Sequence, residues 1–95
     1  MDQEVRYKRL GKGRTVTQVG TGRVINISSK GILFSTESLL PQGERIEVSV
    51  SWPARLNDTT PLKLVILGSV VRGEEKQAAV SIDHYEFKTR RAGGL

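Results

Sequence analysis

The stretch Glu44-Arg45-Ile46-Glu47-Val48-Ser49-Val50-Ser51-Trp52 decides the fold class. In an extended chain, successive side chains point to opposite faces. Ile46, Val48, Val50 and Trp52 then share one face, and Arg45, Glu47, Ser49 and Ser51 share the other. A strict period of two over this length describes a strand with one face in a core and the other in water. Pro53 follows, and because proline lacks a backbone N–H it is expected to end the strand.

Outward from this strand the same kind of element repeats. Residues 55–61 read as a loop, and residues 62–72 as a long strand. Apart from Lys63, that strand is apolar on both faces from Leu62 to Leu67, so at least its first half is expected to be well buried. Gly68 marks a bulge or a bend at a corner. Gly73-Glu74-Glu75-Lys76 is a polar hairpin turn, and residues 77–87 form the last long strand with Val80 and Ile82 inward. Residues 90–95 are expected to fray as a flexible tail.

On the other side, residues 37–43 make a connection with room for one helical turn, and residues 32–36 a short strand. Residues 23–28 form a strand, separated by Gly20-Thr21-Gly22 from an extended run over 14–19. Gly11-Lys12-Gly13 is a turn after a first strand over residues 5–10. The expected core is Ile25, Ile27, Leu33, Ile46, Val48, Val50, Leu64, Ile66, Val80 and Ile82. No segment keeps a helical period over ten residues. Short strands with turn signals between them mean an all-β protein. At 95 residues a small closed or nearly closed barrel is the economical form, because closure removes exposed edges.

The chain has the length of one domain, taken as residues 1–95 with the barrel over about 5–89. There is no cysteine, hence no disulfide framework and no cysteine metal site. No apolar run approaches the roughly 20 residues a membrane-spanning helix needs. The opening Met1-Asp2-Gln3-Glu4 is acidic and polar, unlike a secretory signal, so a cytoplasmic location is expected. The net charge is +5 and uneven: the first 30 residues carry seven basic side chains against Asp2 and Glu4. A basic segment beside a polar turn attracts anions, and phosphate is the obvious one. On charge alone, a basic strand face kept for solubility is equally well supported.

The polar turn is Asn26-Ile27-Ser28-Ser29-Lys30-Gly31, between apolar Val24-Ile25 and Ile32-Leu33-Phe34. Asn26 and Ser28 lie two apart and share a strand face, with Ile25 and Ile27 on the other. Gly31 is expected to supply a positive φ for the reversal and an open approach to the backbone. Taken singly, Asn, Ser and Gly at a strand end serve turns more often than ligands.

This stretch resembles the (Asp/Asn)-x-Ser-x-x-Gly motif of the PilZ domain, a small bacterial β-barrel whose usual ligand is cyclic di-GMP. Its surroundings are similar too: Gly22-Arg23-Val24 before it, Gly31-Ile32-Leu33-Phe34 after it. Further on stand Leu40-Pro41-Gln42-Gly43, Gly68-Ser69-Val70-Val71-Arg72 and Ala79-Val80-Ser81-Ile82. The resemblance implies an antiparallel barrel of about six strands and a cyclic di-GMP site. In that site Asn26 and Ser28 would address a guanine edge, and Gly31 would keep the approach open. Arginines would hold the phosphates through charge-assisted, bidentate bonds. The family's Arg-x-x-x-Arg element before the first strand has no counterpart here: Arg6 and Arg9 are three apart, Arg9 and Arg14 five. Arg6, Arg9 and Arg23 are therefore the candidate surrogates, with Arg14 and Arg72 as further ones.

No catalytic chemistry is expected. His84 is the sole histidine and reads as a strand-end packing residue, with Asp83 facing the other way. No cysteine nucleophile, serine elbow or glycine-rich phosphate loop is present. The chain reads as a binding module that needs no metal and no cofactor. The resemblance implies cyclic di-GMP as its partner. Alternatively it is a degenerate PilZ-like domain acting by protein contact, as in motility, pilus or exopolysaccharide systems. A small basic barrel that binds nucleic acid is a third reading. It is disfavoured, because one Trp, two Tyr and two Phe supply a poor stacking platform.

Overall fold

The computed structural model describes residues 3–56 and 60–89, with the side chains of 14 and 53–56 left aside. Six strands occur in chain order: β1 Glu4–Leu10, β2 Val16–Ile27, β3 Gly31–Ser35, β4 Arg45–Leu56, β5 Thr60–Gly73 and β6 Gln77–Thr89. They close into a barrel in the order β1-β2-β3-β6-β5-β4, and every pairing is antiparallel. One 3-10 turn, Lys12–Arg14, joins β1 to β2; Gly13 inside it has φ 66°. No helix among the described residues is long and apolar enough to cross a membrane.

The alternation read in residues 44–52 is what closes the ring. Ile46, Val48 and Val50 are buried, and Trp52 packs at the margin of the core. On one side β4 pairs with β1, placing Val48 opposite Tyr7; on the other it pairs with β5, placing Val48 opposite Ile66. Tyr7 is buried across from Gly20, and its hydroxyl is hydrogen-bonded to Thr36 Oγ1 at 2.7 Å. A polar tip buried this deeply needs such a partner.

Several boundaries differ from the sequence reading. Gly20 and Gly22 do not break a strand; they lie inside the continuous twelve-residue β2. A side chain at Gly20 would enter the Tyr7 ring, and one at Gly22 would strike the Ser35 carbonyl. These glycines therefore serve close packing inside a strand, not reversal. Pro53 does not end β4, which runs to Leu56 through an irregularity between Trp52 and Arg55. A bulge of this kind accommodates a residue with no donor. Arg55 and Leu56 thus belong to β4, and Thr60 and Pro61 to β5. The remaining loop residues, 57–59, and the proposed tail, 90–95, lie outside the described residues.

The connection over 37–43 holds no helical turn; the Glu44 N–H donates to the Pro41 carbonyl and Gly43 takes φ 91°. Gly68 does mark a bulge, with the β5–β6 register shifting between Leu67 and Gly68. The deepest burial in β5 runs from Leu64 to Val70 on one face, later than the Leu62–Leu67 run suggested.

The core comprises Val5, Tyr7, Val24, Ile32, Phe34, Leu40, Ile46, Val48, Val50, Leu64, Ile66, Val70, Ala78 and Val80. Ile27 and Ile82 pack against it from partly buried positions. Two expected members are displaced. Ile25 is 44% exposed, and Leu33 is only half-buried while Ile32 and Phe34 take the interior. The cause is a bulge: Val24 pairs with Phe34 and Asn26 with Leu33, so Ile25 is an extra residue in β2. The bulge lets Val24 and Ile27 both turn inward and leaves Ile25 and Asn26 outward, while Leu33 follows its partner Asn26 outward and Ile32 and Phe34 lie opposite Ile27 and Val24. His84 is exposed on β6 and packs no core.

Candidate functional site

The bulge at Ile25 also shapes the site. After buried Val24, both Ile25 and Asn26 face outward, Ile27 turns in, and Ser28 faces outward again. Asn26 and Ser28 thus lie on the outer face together, as their spacing predicts. The turn that follows satisfies itself. The Ser28 N–H donates to the Gly31 carbonyl at 2.9 Å, and the Lys30 N–H donates to Ser28 Oγ at 3.3 Å. The Ile82 N–H donates to the Lys30 carbonyl at 2.9 Å, clipping the turn onto β6.

Gly31 does not take a positive φ; among the described glycines only Gly13 and Gly43 do. Its requirement is space. A Cβ at Gly31 would lie 3.0 Å from the Val80 carbonyl oxygen, tight enough to push β3 away from β6. The glycine therefore sets how closely these two strands approach beneath the turn.

The outer side of this junction is an open groove of about 360 Å³. Asn26, Ser28, Lys30 and Gly31 line one side, and Val71, Ala79 and Ser81 line the other. Asn26 is exposed, and its side-chain amide makes no hydrogen bond with any described residue. The groove thus offers one uncommitted amide, the hydroxyls of Ser28 and Ser81, one ammonium and an apolar floor. Such a set suits a flat polar ring carrying an anionic group: the amide reads the ring edge, the floor takes its face, and Lys30 meets the charge.

The candidate arginines are spread out. Arg23 lies three residues before Asn26 on the same strand and lines a neighbouring hollow of about 250 Å³ with Glu4, Ser35 and Glu37. Arg6 is on β1, opposite Thr21, with its side chain 75% exposed and its Nε 3.9 Å from Glu4. It faces a broad groove of about 740 Å³ together with Lys8, Glu47 and Lys63. Arg9 is paired with Gln18, eight residues before Asn26. At about 3.3 Å per strand residue, that is up to about 26 Å of chain. Arg9 is also engaged, donating to Gln18 Oε1 at 2.8 Å and to Glu44 Oε1 at 2.6 Å. The fold therefore brings Asn26, Ser28 and Gly31 together, sets Arg23 beside them, and holds Arg6 and Arg9 apart from them. Arg72 sits across the groove wall, opposite Ala79, with its Nε 3.2 Å from Glu74.

Lys30 is the groove residue the sequence reading passed over, although it stands inside the quoted motif. Val71 and Ala79 come from distant positions, and only the β3–β6–β5 order brings them in. Among the described residues, no group of three or more His, Cys, Asp or Glu is placed to hold a metal ion.

A family model described as the PilZ domain matches residues 3–92. Comparison with curated proteins and with solved structures finds no match.

Proposed function

The chain belongs to the PilZ domain family, and from that membership we propose that this signalling-type barrel is a receptor for cyclic di-GMP, working in the bacterial cytoplasm. The reading rests on one observation above all: Asn26 faces outward with an uncommitted amide beside Ser28, Lys30 and Gly31 on an open groove. In it, the Asn26 amide and the Ser28 hydroxyl address a guanine edge. Lys30 and Arg23 face the phosphates, Arg23 by its position three residues upstream. A neutral amide accepts more weakly than the carboxylate that is the motif's other choice, so modest affinity is expected.

A second reading is favoured by the arginines. Arg9 is committed to Glu44 and Gln18, and Arg6 faces another groove. In this reading the barrel does not take up nucleotide and works by protein contact, in a motility, pilus or exopolysaccharide system. Calorimetric titration with cyclic di-GMP, with GMP as control, separates the two. Heat with the dinucleotide that is lost in Asn26→Ala supports the receptor. Absence of heat and of chemical-shift change at high micromolar ligand rejects it and leaves the protein-contact reading.

A further inference from the structure

The barrel is closed along only part of its height. β3 is five residues long and pairs with β6 over residues 77–81. β1 pairs with β4 over residues 45–50. β4, β5 and β6 continue past both partners as a three-stranded extension, in which β5 stays paired on both sides. The extension has two edges. The β4 edge carries Pro53, a residue that opposes strand addition because it lacks a donor. The β6 edge, residues 83–89, carries no proline, and on its side away from β5 no strand among the described residues pairs with it.

The side chains along that edge are sorted by face. Past the register shift, Tyr85 lies opposite Ile66 and Phe87 opposite Leu64, both buried in the core. Tyr85 and Phe87 therefore point to the barrel side, yet they are 53% and 48% exposed, because no strand stands beyond them. Phe87 meets Trp52 edge to face, with ring centroids 5.1 Å apart. On the outer face Glu86 and Lys88 lie side by side, 3.4 Å apart and half exposed.

We propose that this edge pairs with the same edge of a second copy of the chain, antiparallel and centred on Phe87, so that two extensions join into one six-stranded sheet. The register follows from the side chains. Residues opposed in an antiparallel ladder point to the same face, so a two-fold pairing must centre on a residue. Centring on Glu86 would set two glutamates against each other. Centring on Phe87 sets Glu86 against Lys88 twice on the outer face, and Tyr85 against Thr89 twice on the inner face. A lysine on a strand edge normally discourages pairing; in this register alone it gains an opposite charge from the other copy. The chain as a whole carries +5, but at this edge Glu86 offsets Lys88 and Asp83 is ion-paired with Arg45, so the seam itself carries little net charge. The seam is short compared with the roughly 1,600 Å² of a standard interface. The dimer is accordingly weak, with dissociation on the order of 100 micromolar.

Sedimentation of the full chain from about 10 micromolar to about 1 millimolar tests this, spanning the range where such an affinity shows. Reversible dimerisation is expected, without any added ligand. Glu86→Lys alone, or Lys88→Glu alone, places like charges opposite each other and should weaken self-association about tenfold. An equimolar mixture of the two variants should restore it, because each copy then supplies the charge the other lacks. Both residues are exposed, and circular dichroism of each variant checks that the barrel persists. Amide exchange at residues 85–89 should slow with concentration in the wild type. A chain that stays monomeric at 1 millimolar overturns the proposal, as does a dimer indifferent to the charge variants. Edge amides protected equally at all concentrations overturn it too, since they would then be covered by the chain's own residues.

Discussion

Two polar clusters stand at opposite ends of β2, and they differ in what is left over. At one end Arg9, Gln18 and Glu44 join β1, β2 and the start of β4, with distances of 2.6 and 2.8 Å. The Arg9 side chain is only 24% exposed, and its Nε is buried without a partner. At the other end the backbone of the Asn26–Gly31 turn is bonded to itself and to β6, while the Asn26 amide points away uncommitted. The first cluster spends its hydrogen-bonding groups on the fold. The second holds its shape with backbone bonds and keeps a side chain open. A charged residue in a motif-rich segment is thus not a ligand residue by composition; what its donors already bond to decides.

The sharpest way to break this comparison is to remove one side chain from each end. Asn26→Ala should weaken cyclic di-GMP binding by about 1–3 kcal/mol, because a base edge in a partly desolvated groove loses its partner. The same change should move unfolding stability by no more than about 0.5 kcal/mol, since the amide holds nothing in the protein. Calorimetry and urea unfolding of the same preparations read both quantities. If stability drops as far as affinity, the amide belongs to the fold and the two ends are alike.

Arg9→Ala should give the reverse pattern. Charge-assisted bonds reach about 1.5–3 kcal/mol each, but both partners are partly solvated and part of that is screened. A stability loss of about 1–2 kcal/mol in urea is expected, with ligand affinity unchanged within about twofold. The sequence alone made Arg9 a surrogate phosphate arginine. A loss of binding without a loss of stability would restore that role and break the contrast drawn above.

How far these ends could be read from the sequence depends on how local their causes are. The face of β4 was legible because four apolar residues alternate without a break from Ile46 to Trp52. The outward pair Asn26 and Ser28 was legible for the same reason, at a spacing of two. The phase of β3 was not, because Ile32, Leu33 and Phe34 are all apolar and only their pairing with Ile27, Asn26 and Val24 of β2 selects which face turns in. β2 was divided in two because glycine reads as a break; here Gly20 and Gly22 make room for Tyr7 and Ser35 from neighbouring strands. The commitment of Arg9 depends on Glu44, 35 residues away, and nothing near Arg9 announces it. The approach that requires Gly31 involves Val80, a partner known only once β3 is seen beside β6.

Gly31→Ala should produce a smaller effect that touches both properties. The added methyl lies 3.0 Å from the Val80 carbonyl oxygen, so β6 must move by a few tenths of an ångström. About 1 kcal/mol of stability should be lost, at the low end of overpacking costs, because the conflict is a single contact at a strand margin. Amide shifts should be confined to residues 28–31 and 79–82. Changes spread through β4 would mean that the turn supports the whole ring rather than one junction.

The smallest effect sharpens the comparison most, because it concerns a charge that forms no ion pair with any described residue. Lys30 stands in the turn with its backbone bonded on both sides and its side chain exposed. If the groove takes an anionic ligand, Lys30→Ala should reduce affinity by about 0.5–1 kcal/mol, the scale of a solvated charge contact. It should also flatten the dependence of affinity on salt, since a screened ammonium no longer contributes. Asn26→Ala, by contrast, should lower affinity without altering that dependence, because an amide carries no net charge. The two variants therefore separate base-edge recognition from charge attraction in one groove. Equal salt slopes for wild type and Lys30→Ala would move the phosphate contact elsewhere, to Arg23 first. A double variant at Lys30 and Arg23 would then have to abolish the slope that the single variant left intact.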